Sequence, residues 1–355
     1  MKIHSNIRDY EVHFAETADF LRGFGTLAER CYVIDANVWQ CHANGCLGEL
    51  AGEPVIILSI SEERKCLETV LDLYDQLTGR SAKRNLTLIS IGGGILQDIS
   101  GFAASTLYRG INWIFLPTTL LAQADSCIGS KTSLNYKRFK NLIGTFYPPS
   151  QVFIHIPFLA TLQDVDFFSG LGEVVKLHIM GGADRIREMV ASLPAMARRE
   201  TPILRTAVET ALRIKQSYIA EDEFDMGRRN MLNFGHCFGH ALESTSNFQI
   251  PHGQAVVAGM LLSNIVARHR GILSQNMLEF MADQLLRPSM AVCVKSEHLD
   301  ADQIVAAMKK DKKRTGAGLA LIMIGDDYEM LKVNDLTPQE VARALKEATA
   351  FLPMA

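Results

Sequence analysis

Short apolar runs alternate with amphipathic stretches through the first part of the chain, and few folds accommodate that alternation. Tyr10–Phe14, residues 31–35 (CYVID), 54–60 (PVIILSI), 86–91, 111–116 and 153–156 read as strands, several closed by a polar residue or glycine. Nearly continuous apolar runs of this kind belong to parallel strands buried on both faces. Between them, Leu67, Val70, Leu71, Tyr74 and Leu77 recur at helical spacing. Ser61, Glu62 and Glu63 are the expected start of that helix and Gly79 its stop. A second helix is expected over residues 98–107. Strand–helix–strand alternation predicts an α/β domain with a parallel, Rossmann-like sheet covered by helices.

Gly92-Gly93-Gly94 sits where a strand hands over to a helix. Glycine lets backbone approach a pyrophosphate, and a helix N-terminus favours its charge. The triplet is not the GxGxxG fingerprint and is weak alone. Asp35 and Asn37, Ser61 and Glu62, and Thr118 and Thr119 end other strands on the same predicted edge, where open parallel sheets bind ligands. A nucleotide is the expected ligand.

A chain of 355 residues exceeds one ordinary core. We expect an α/β domain over residues 1–156 and a mainly α-helical domain over 157–355. Helices are expected over 185–198, 203–220, 253–268 and 301–310, with a hairpin from Leu319 to Val333. Thr337-Pro338-Gln339-Glu340 reads as a capping box opening a final helix. A net charge of −3 offers no electrostatic case for nucleic acid or an anionic membrane. Seven cysteines without a CxxC pair fit reduced thiols. No apolar leader and no long apolar run is present, so a cytoplasmic location is expected.

Residues 116–148 place Thr118, Thr119, Asp125, Lys131, Asn135, Lys140 and Asn141 among glycines. So long and polar a connection is expected to form the floor of an active site between the domains. His236, His240 and His252 cluster in the second half, and Glu173 lies in the small-residue segment GLGEVVK. Imidazoles plus a carboxylate suit zinc with an open position. Spacing alone pairs His236 with His240 as co-ligands, four residues apart on one helical face. Arg109, Lys131, Lys140, Lys176, Lys215, Arg229 and Lys312 form a set of cations that implies an anionic substrate.

The motifs GGGILQDISGFAASTLYRG (92–110), PTTLLAQADSCIGSKTSLN (117–135), KNLIGTFYPP (140–149), GLGEVVK (170–176), RNMLNFGHCFGHALE (229–243), HGQAVVAGM (252–260) and MKKDKK (308–313) resemble, in this order, those of the 3-dehydroquinate synthases and related sugar phosphate cyclases. The resemblance implies that NAD is held by Asp35, Asn37, Glu62, Lys65, Gly93, Gly94, Ile95, Asp98, Thr118, Thr119, Lys131, Lys140, Phe158 and Thr161. It implies zinc, with cobalt as an alternative, on Glu173, His236 and His252, so that the spacing-based pairing with His240 gives way. Asp125, Lys176, Lys215, Asn233 and His240 then match catalytic positions. Arg109, Lys131, Asn141, Arg229 and Lys312 match substrate contacts, with Arg109 reaching a neighbouring subunit and implying a homodimer.

The implied reaction oxidises a substrate hydroxyl to a ketone, eliminates phosphate, returns the hydride and closes a carbocycle by an intramolecular aldol. In the family the departing phosphate is thought to help remove the proton. Four departures stand out: Gln97 for the usual glycine, Ser130 within the usual GGK, Lys137-Arg138-Phe139 for a proline–leucine–glycine turn, and Leu177-His178 for tyrosine–glycine. Arg229, which suits a substrate carboxylate, and Asn233 are retained. A 3-dehydroquinate synthase is therefore expected. The alternatives are a cyclase of the aminodehydroquinate, scyllo-inosose or valiolone type, an NAD- and metal-dependent polyol dehydrogenase, and a catalytically inactive binding protein.

Overall fold

The computed structural model describes residues 1–80, 82–137, 139–310 and 318–355. Lys312, expected at the substrate pocket, lies outside the described residues, as does Arg138. The chain divides into two compact units, Met1–Leu162 and Gln163–Ala355. The division falls after Leu162 rather than at 156 because the short helical turn Ile156–Thr161 buries Phe158 in the first unit's core.

In chain order, the first unit contains β1 (Lys2–Ile3), β2 (Tyr10–Phe14), α1 (Phe20–Gly23), β3 (Arg30–Asp35), α2 (Ala36–His42), β4 (Val55–Leu58), α3 (Leu67–Gly79), β5 (Thr87–Gly92), α4 (Gly94–Thr106), β6 (Asn112–Pro117), β7 (Lys131–Tyr136), β8 (Phe139–Phe146) and β9 (Gln151–Ile154). The main sheet has the order β1-β2-β9-β6-β5-β3-β4, parallel except for the β1–β2 pair. Register aligns Tyr32 with Ile89 and Ile114, and Ile34 with Ile91 and Leu116, so one face presents a continuous apolar layer. On the other face Ser90 reaches Ser100 of α4, their hydroxyls 3.0 Å apart. From β3 the chain goes to β4 on one side, then returns past β3 to β5. The switch point therefore lies between the carboxyl ends of β3 and β5.

Three elements differ from the sequence expectations. α3 begins at Leu67, not at Ser61. Residues 61–65 form a separate turn because the Lys65 carbonyl accepts the Asn135 N–H at 2.7 Å, and its ammonium is held by Asp98 and Asn141. α4 starts at Gly94, four residues early, since Gly93 supplies an extended N-cap. Residues 116–148 are not a plain loop. They form a π-helical turn, Ala122–Ser126, and the antiparallel β7–β8 hairpin. Thr132 and Leu134 point inward, and the Thr132 and Thr145 hydroxyls pair across the strands at 2.7 Å.

The second unit contains α5 (Asp164–Met180), α6 (Ala183–Ala197), α7 (Thr201–Glu221), α8 (His236–Thr245), α9 (His252–His269), α10 (Gln275–Met281), α11 (Ala301–Lys310), β10 (Leu319–Ile324), β11 (Met330–Leu336) and α12 (Pro338–Ala348). α9 is buried continuously from Gly253 to Ala267 and forms the axis of the core. Thr337 and Glu340 make the expected capping box. β11 starts at Met330 because residues 325–328 turn, with the Tyr328 N–H donating to the Gly325 carbonyl at 3.0 Å.

Candidate active site

In the first unit, the strand-end residues gather at the carboxyl edge of the sheet. Asp35 ends β3, and its carboxylate accepts the Asn37 N–H at 2.9 Å, capping α2. Burial pushes the Asp35 carboxyl above its usual range, against the hydrogen bonds from Asn37 and Val38. Gly93 and Gly94 turn β5 into α4, leaving Ile95 half-buried on the first turn. A Cβ on Gly93 would lie 2.9 Å from the Thr119 methyl, so only glycine leaves this approach open. Thr118 donates its N–H to the Gly92 carbonyl at 2.9 Å, and Thr119 accepts from Ala122 N at 3.2 Å.

Beside this edge lies a polar network. Lys65 pairs with Asp98 and donates to Asn141 Oδ1 at 2.6 Å. Asp98 accepts from Ser133 N and Oγ at 2.8 and 3.0 Å. Burial raises the Asp98 pKa, with Lys65 and Ser133 opposing. Asn135 donates to Glu62 at 2.8 Å, and Lys140 lies 3.8 Å from the same carboxylate. The Thr161 hydroxyl meets His42 Nε2 at 2.9 Å, whereas the Phe158 ring is enclosed in the core and offers a ligand only its backbone. Lys131 and Asn141 lie exposed on the β7–β8 hairpin, and Asp125 is half-buried on the π-turn. Exposed Arg109 follows the far end of α4, about 20 Å from Gly94 at 1.5 Å per residue.

In the second unit, glycines let three helices converge. A Cβ on Gly253 of α9 would fall on the Ser169 carbonyl of α5, and one on Gly259 would fall on the Gly235 carbonyl that precedes α8. That proximity brings the donor atoms of Glu173 (α5), His236 (α8) and His252 (α9) within 4.8 Å of one another. Glu173 Oε1 lies 3.6 Å from His236 Nε2 and 3.4 Å from His252 Nε2. Lys176 Nζ is 2.5 Å from the other carboxylate oxygen, with both side chains almost fully buried. His236 and His240 do not share a donor set among the described residues. His240 instead groups with Glu243 and His252, its ring 5.4 Å from that of His236.

Burial opposes ionisation of Glu173, but Lys176 and the two histidines outweigh it and hold the carboxyl well below its usual range. Burial, reinforced by Lys176, drives His236 well below the usual imidazole value and keeps it neutral. For His252, burial is overcome by hydrogen bonds to Glu173 and Glu243, which raise its pKa to about 10. Glu173 Oε2 is paired with Lys176, while the buried Oε1 faces the two imidazoles at distances longer than good hydrogen bonds. A buried carboxylate in that state, facing two imidazole Nε2 atoms, fits a divalent cation with nitrogen and oxygen ligands.

Of the three donors, His236 lines a pocket together with Asn233, His240, Cys237, Met308 and Lys332, among others. Lys215 is buried on α7. Buried Arg229 donates to the Glu223 carbonyl, while its own N–H is held by Asp222 at 3.0 Å. The sequence reading did not single out Glu243, which accepts from His252 Nδ1 at 2.9 Å. Its position three residues after His240 and seven after His236, on one helical face, was the available signal.

Residues 55–169 match the N-terminal model of 3-dehydroquinate synthase, and residues 170–314 match the C-terminal one. The 3-dehydroquinate synthase of Clostridium tetani is 37% identical over 287 residues, covering 81% of this chain and 76% of that protein. The enzyme of the same name from Acetivibrio thermocellus is 31% identical over 333 residues, covering 91% and 92%. Among solved structures, the 2-epi-5-epi-valiolone synthase ValA of Streptomyces hygroscopicus subsp. jinggangensis, with NAD+ and Zn2+ bound, superposes with a TM-score of 0.83 at 26% identity over 96% of this chain and 97% of its own. A glycerol dehydrogenase from Schizosaccharomyces pombe, at 16% identity and a TM-score of 0.64 over 96% and 89% of the two chains, shares the fold alone.

Fold and relatives together define a carbocycle-forming enzyme of the sugar phosphate cyclase class. Within that class, the chain belongs to the 3-dehydroquinate synthase family.

Proposed function

We propose that this protein is a 3-dehydroquinate synthase, converting 3-deoxy-arabino-heptulosonate 7-phosphate to a carbocycle with loss of phosphate. The observation that carries the reading is the Glu173–His236–His252 donor set, whose His236 lines a pocket together with Asn233 and His240. Glu173, His236 and His252 would hold Zn2+ or Co2+. The β3–β5 switch-point edge, from Asp35 and Asn37 through Gly93, Gly94 and Ile95 to Thr118 and Thr119, would hold NAD, with Glu62, Lys65, Asp98, Lys131, Lys140 and Thr161 beside it. When bound, the metal supplies Lewis-acid polarisation of a substrate hydroxyl and NAD a reversible hydride acceptor, so the net reaction is that of a lyase.

The chain's own residues bind and orient. Lys176 neutralises Glu173 and keeps its carboxylate ionised in a buried setting. Arg229, carried on the loop that leads into His236, suits a substrate carboxylate, since a guanidinium matches it in a bidentate fork. Lys131, Asn141 and Lys312 would hold the phosphate-bearing substrate. Asp125, Lys215, Asn233 and His240 would serve proton transfer and orientation. Arg109 stands at the opposite end of α4 from the dinucleotide edge. That placement supports its donation to a neighbouring subunit's site in a homodimer.

The test is to load the protein with zinc and NAD and supply the heptulosonate phosphate. Release of inorganic phosphate without net NADH is expected. Release from a different sugar phosphate alone would overturn the substrate while keeping the class. Accumulating NADH without phosphate would favour a polyol dehydrogenase.

A further inference from the structure

We infer that Glu243 is the positioning residue that sets metal affinity at His252, an inference that rests on the metal reading proposed above. Glu243 lies on α8 with its side chain nearly enclosed, and its Oε2 is 2.9 Å from His252 Nδ1. An ionised carboxylate only accepts, so His252 Nδ1 carries the proton. In the neutral ring the lone pair then falls on Nε2, the nitrogen that faces Glu173 at 3.4 Å.

His236 is arranged in the same sense by a weaker partner. Its Nδ1 donates to the Phe234 carbonyl at 3.1 Å, leaving Nε2 toward Glu173 at 3.6 Å. The two imidazoles therefore present the same nitrogen to the same carboxylate, one fixed by a backbone dipole and the other by a full charge. A charged acceptor holds the ring more firmly and makes the ligand nitrogen more basic.

His240, Glu243 and His252 also form a donor set of their own, which offers a rival role for Glu243 as a direct ligand of a second ion. One titration separates the two. The full-length protein is stripped with a chelator and titrated with Zn2+ against a chromophoric competitor, comparing wild type, Glu243→Gln and Glu243→Ala. Thermal unfolding of each metal-free form is followed in parallel.

The expected result is one zinc per chain in the wild type and about 10- to 100-fold weaker zinc binding in Glu243→Ala. Glu243→Gln keeps a neutral acceptor for Nδ1 and should fall between the two, folded like the wild type. Zinc binding by Glu243→Gln and Glu243→Ala within twofold of wild type would overturn the positioning role. Two zinc ions per wild-type chain, reduced to one in both variants, would overturn it in favour of direct ligation. A wild type that binds no zinc would instead overturn the metal reading beneath it.

Discussion

Replacing Gly172 by alanine tests whether helix proximity, rather than ligand identity alone, builds the donor cluster. Gly172 precedes Glu173 on α5 and faces α9. An added Cβ would lie 2.5 Å from the Gly253 carbonyl oxygen and 2.9 Å from the Val257 Cγ2 methyl. The valine can rotate away, but the carbonyl belongs to the helix and cannot. Reaching even a 3.0 Å contact requires α5 and α9 to part by about half an ångström. Two effects then compete. Alanine improves helix propensity by about 1 kcal/mol, while overpacking a tight interior costs about 1–3 kcal/mol. The net expectation is a loss of roughly 0–2 kcal/mol, lowering the melting temperature by at most about 4–8 °C for a unit of this size. The effect on the metal should be larger than the effect on the fold. Ligand geometry tolerates only about 0.2 Å, so Glu173 displaced with its helix should weaken zinc binding by about tenfold or more. Calorimetric unfolding of the metal-free protein and a competitive zinc titration measure the two effects. Gly79→Ala is the control, since a Cβ there meets nothing within 4 Å. Unchanged melting temperature and unchanged zinc affinity in Gly172→Ala would refute the reasoning.

Two further substitutions probe the remaining structure. Gly93→Ala, whose Cβ would crowd the Thr119 methyl at 2.9 Å, should weaken NAD binding by about tenfold and leave zinc binding alone. Equal NAD affinity by calorimetry would remove the pyrophosphate role of the turn. Glu340 is held at a pKa of about 2, chiefly by Arg270 at 2.7 Å and by the Thr337 cap. Because its folded value lies below the ordinary one, its contribution is complete above about pH 4.5 and disappears as pH falls toward 2. Glu340→Gln should therefore destabilise by roughly 1–2 kcal/mol at pH 7, after allowing for partial solvent screening. In denaturant titrations this difference should shrink below pH 4, and a difference independent of pH would sink the assignment.

The sheet was legible because its buried parallel strands leave short apolar runs closed by polar residues or glycine, and the runs at 31–35, 86–91 and 111–116 became β3, β5 and β6 within a residue or so. The start of α3 was not legible. Ser61 with two acidic residues looks like a cap, yet Lys65 is pinned by Asn135, Asp98 and Asn141, partners far away in sequence. The β7–β8 hairpin was hidden for a related reason. Its inward side chains are mostly Thr132 and Leu134, too few for an apolar alternation to stand out. At the histidines, i and i+4 spacing correctly placed His236 and His240 on one face of α8. Spacing within one helix could not reveal that Glu173 and His252 approach from α5 and α9, because that depends on glycines whose effect is felt only between helices.

The departures from the family pattern acquire a physical meaning once the backbone is seen. Ser130 stands where the family has glycine, and it adopts φ 64°, the left-handed conformation that glycine accepts freely. Lys137, in place of the usual turn, does the same at φ 53°. Each costs about 1 kcal/mol relative to glycine, and the hairpin pairing of β7 with β8 is maintained across that cost. Gln97 replaces another glycine but is absorbed differently. Its amide donates to the Ser126 carbonyl and accepts from the Ser126 hydroxyl, both at 2.6 Å, tying α4 to the π-turn that carries Asp125. The substitutions are thus accommodated locally, at Ser130 and Lys137 by left-handed backbone and at Gln97 by its hydrogen bonds to Ser126. A change of substrate would have to come from side chains that meet the substrate's distinguishing groups. For the proposed carboxylated substrate that side chain would be Arg229, which is retained together with Asn233 and supports the heptulosonate reading over the alternative cyclases.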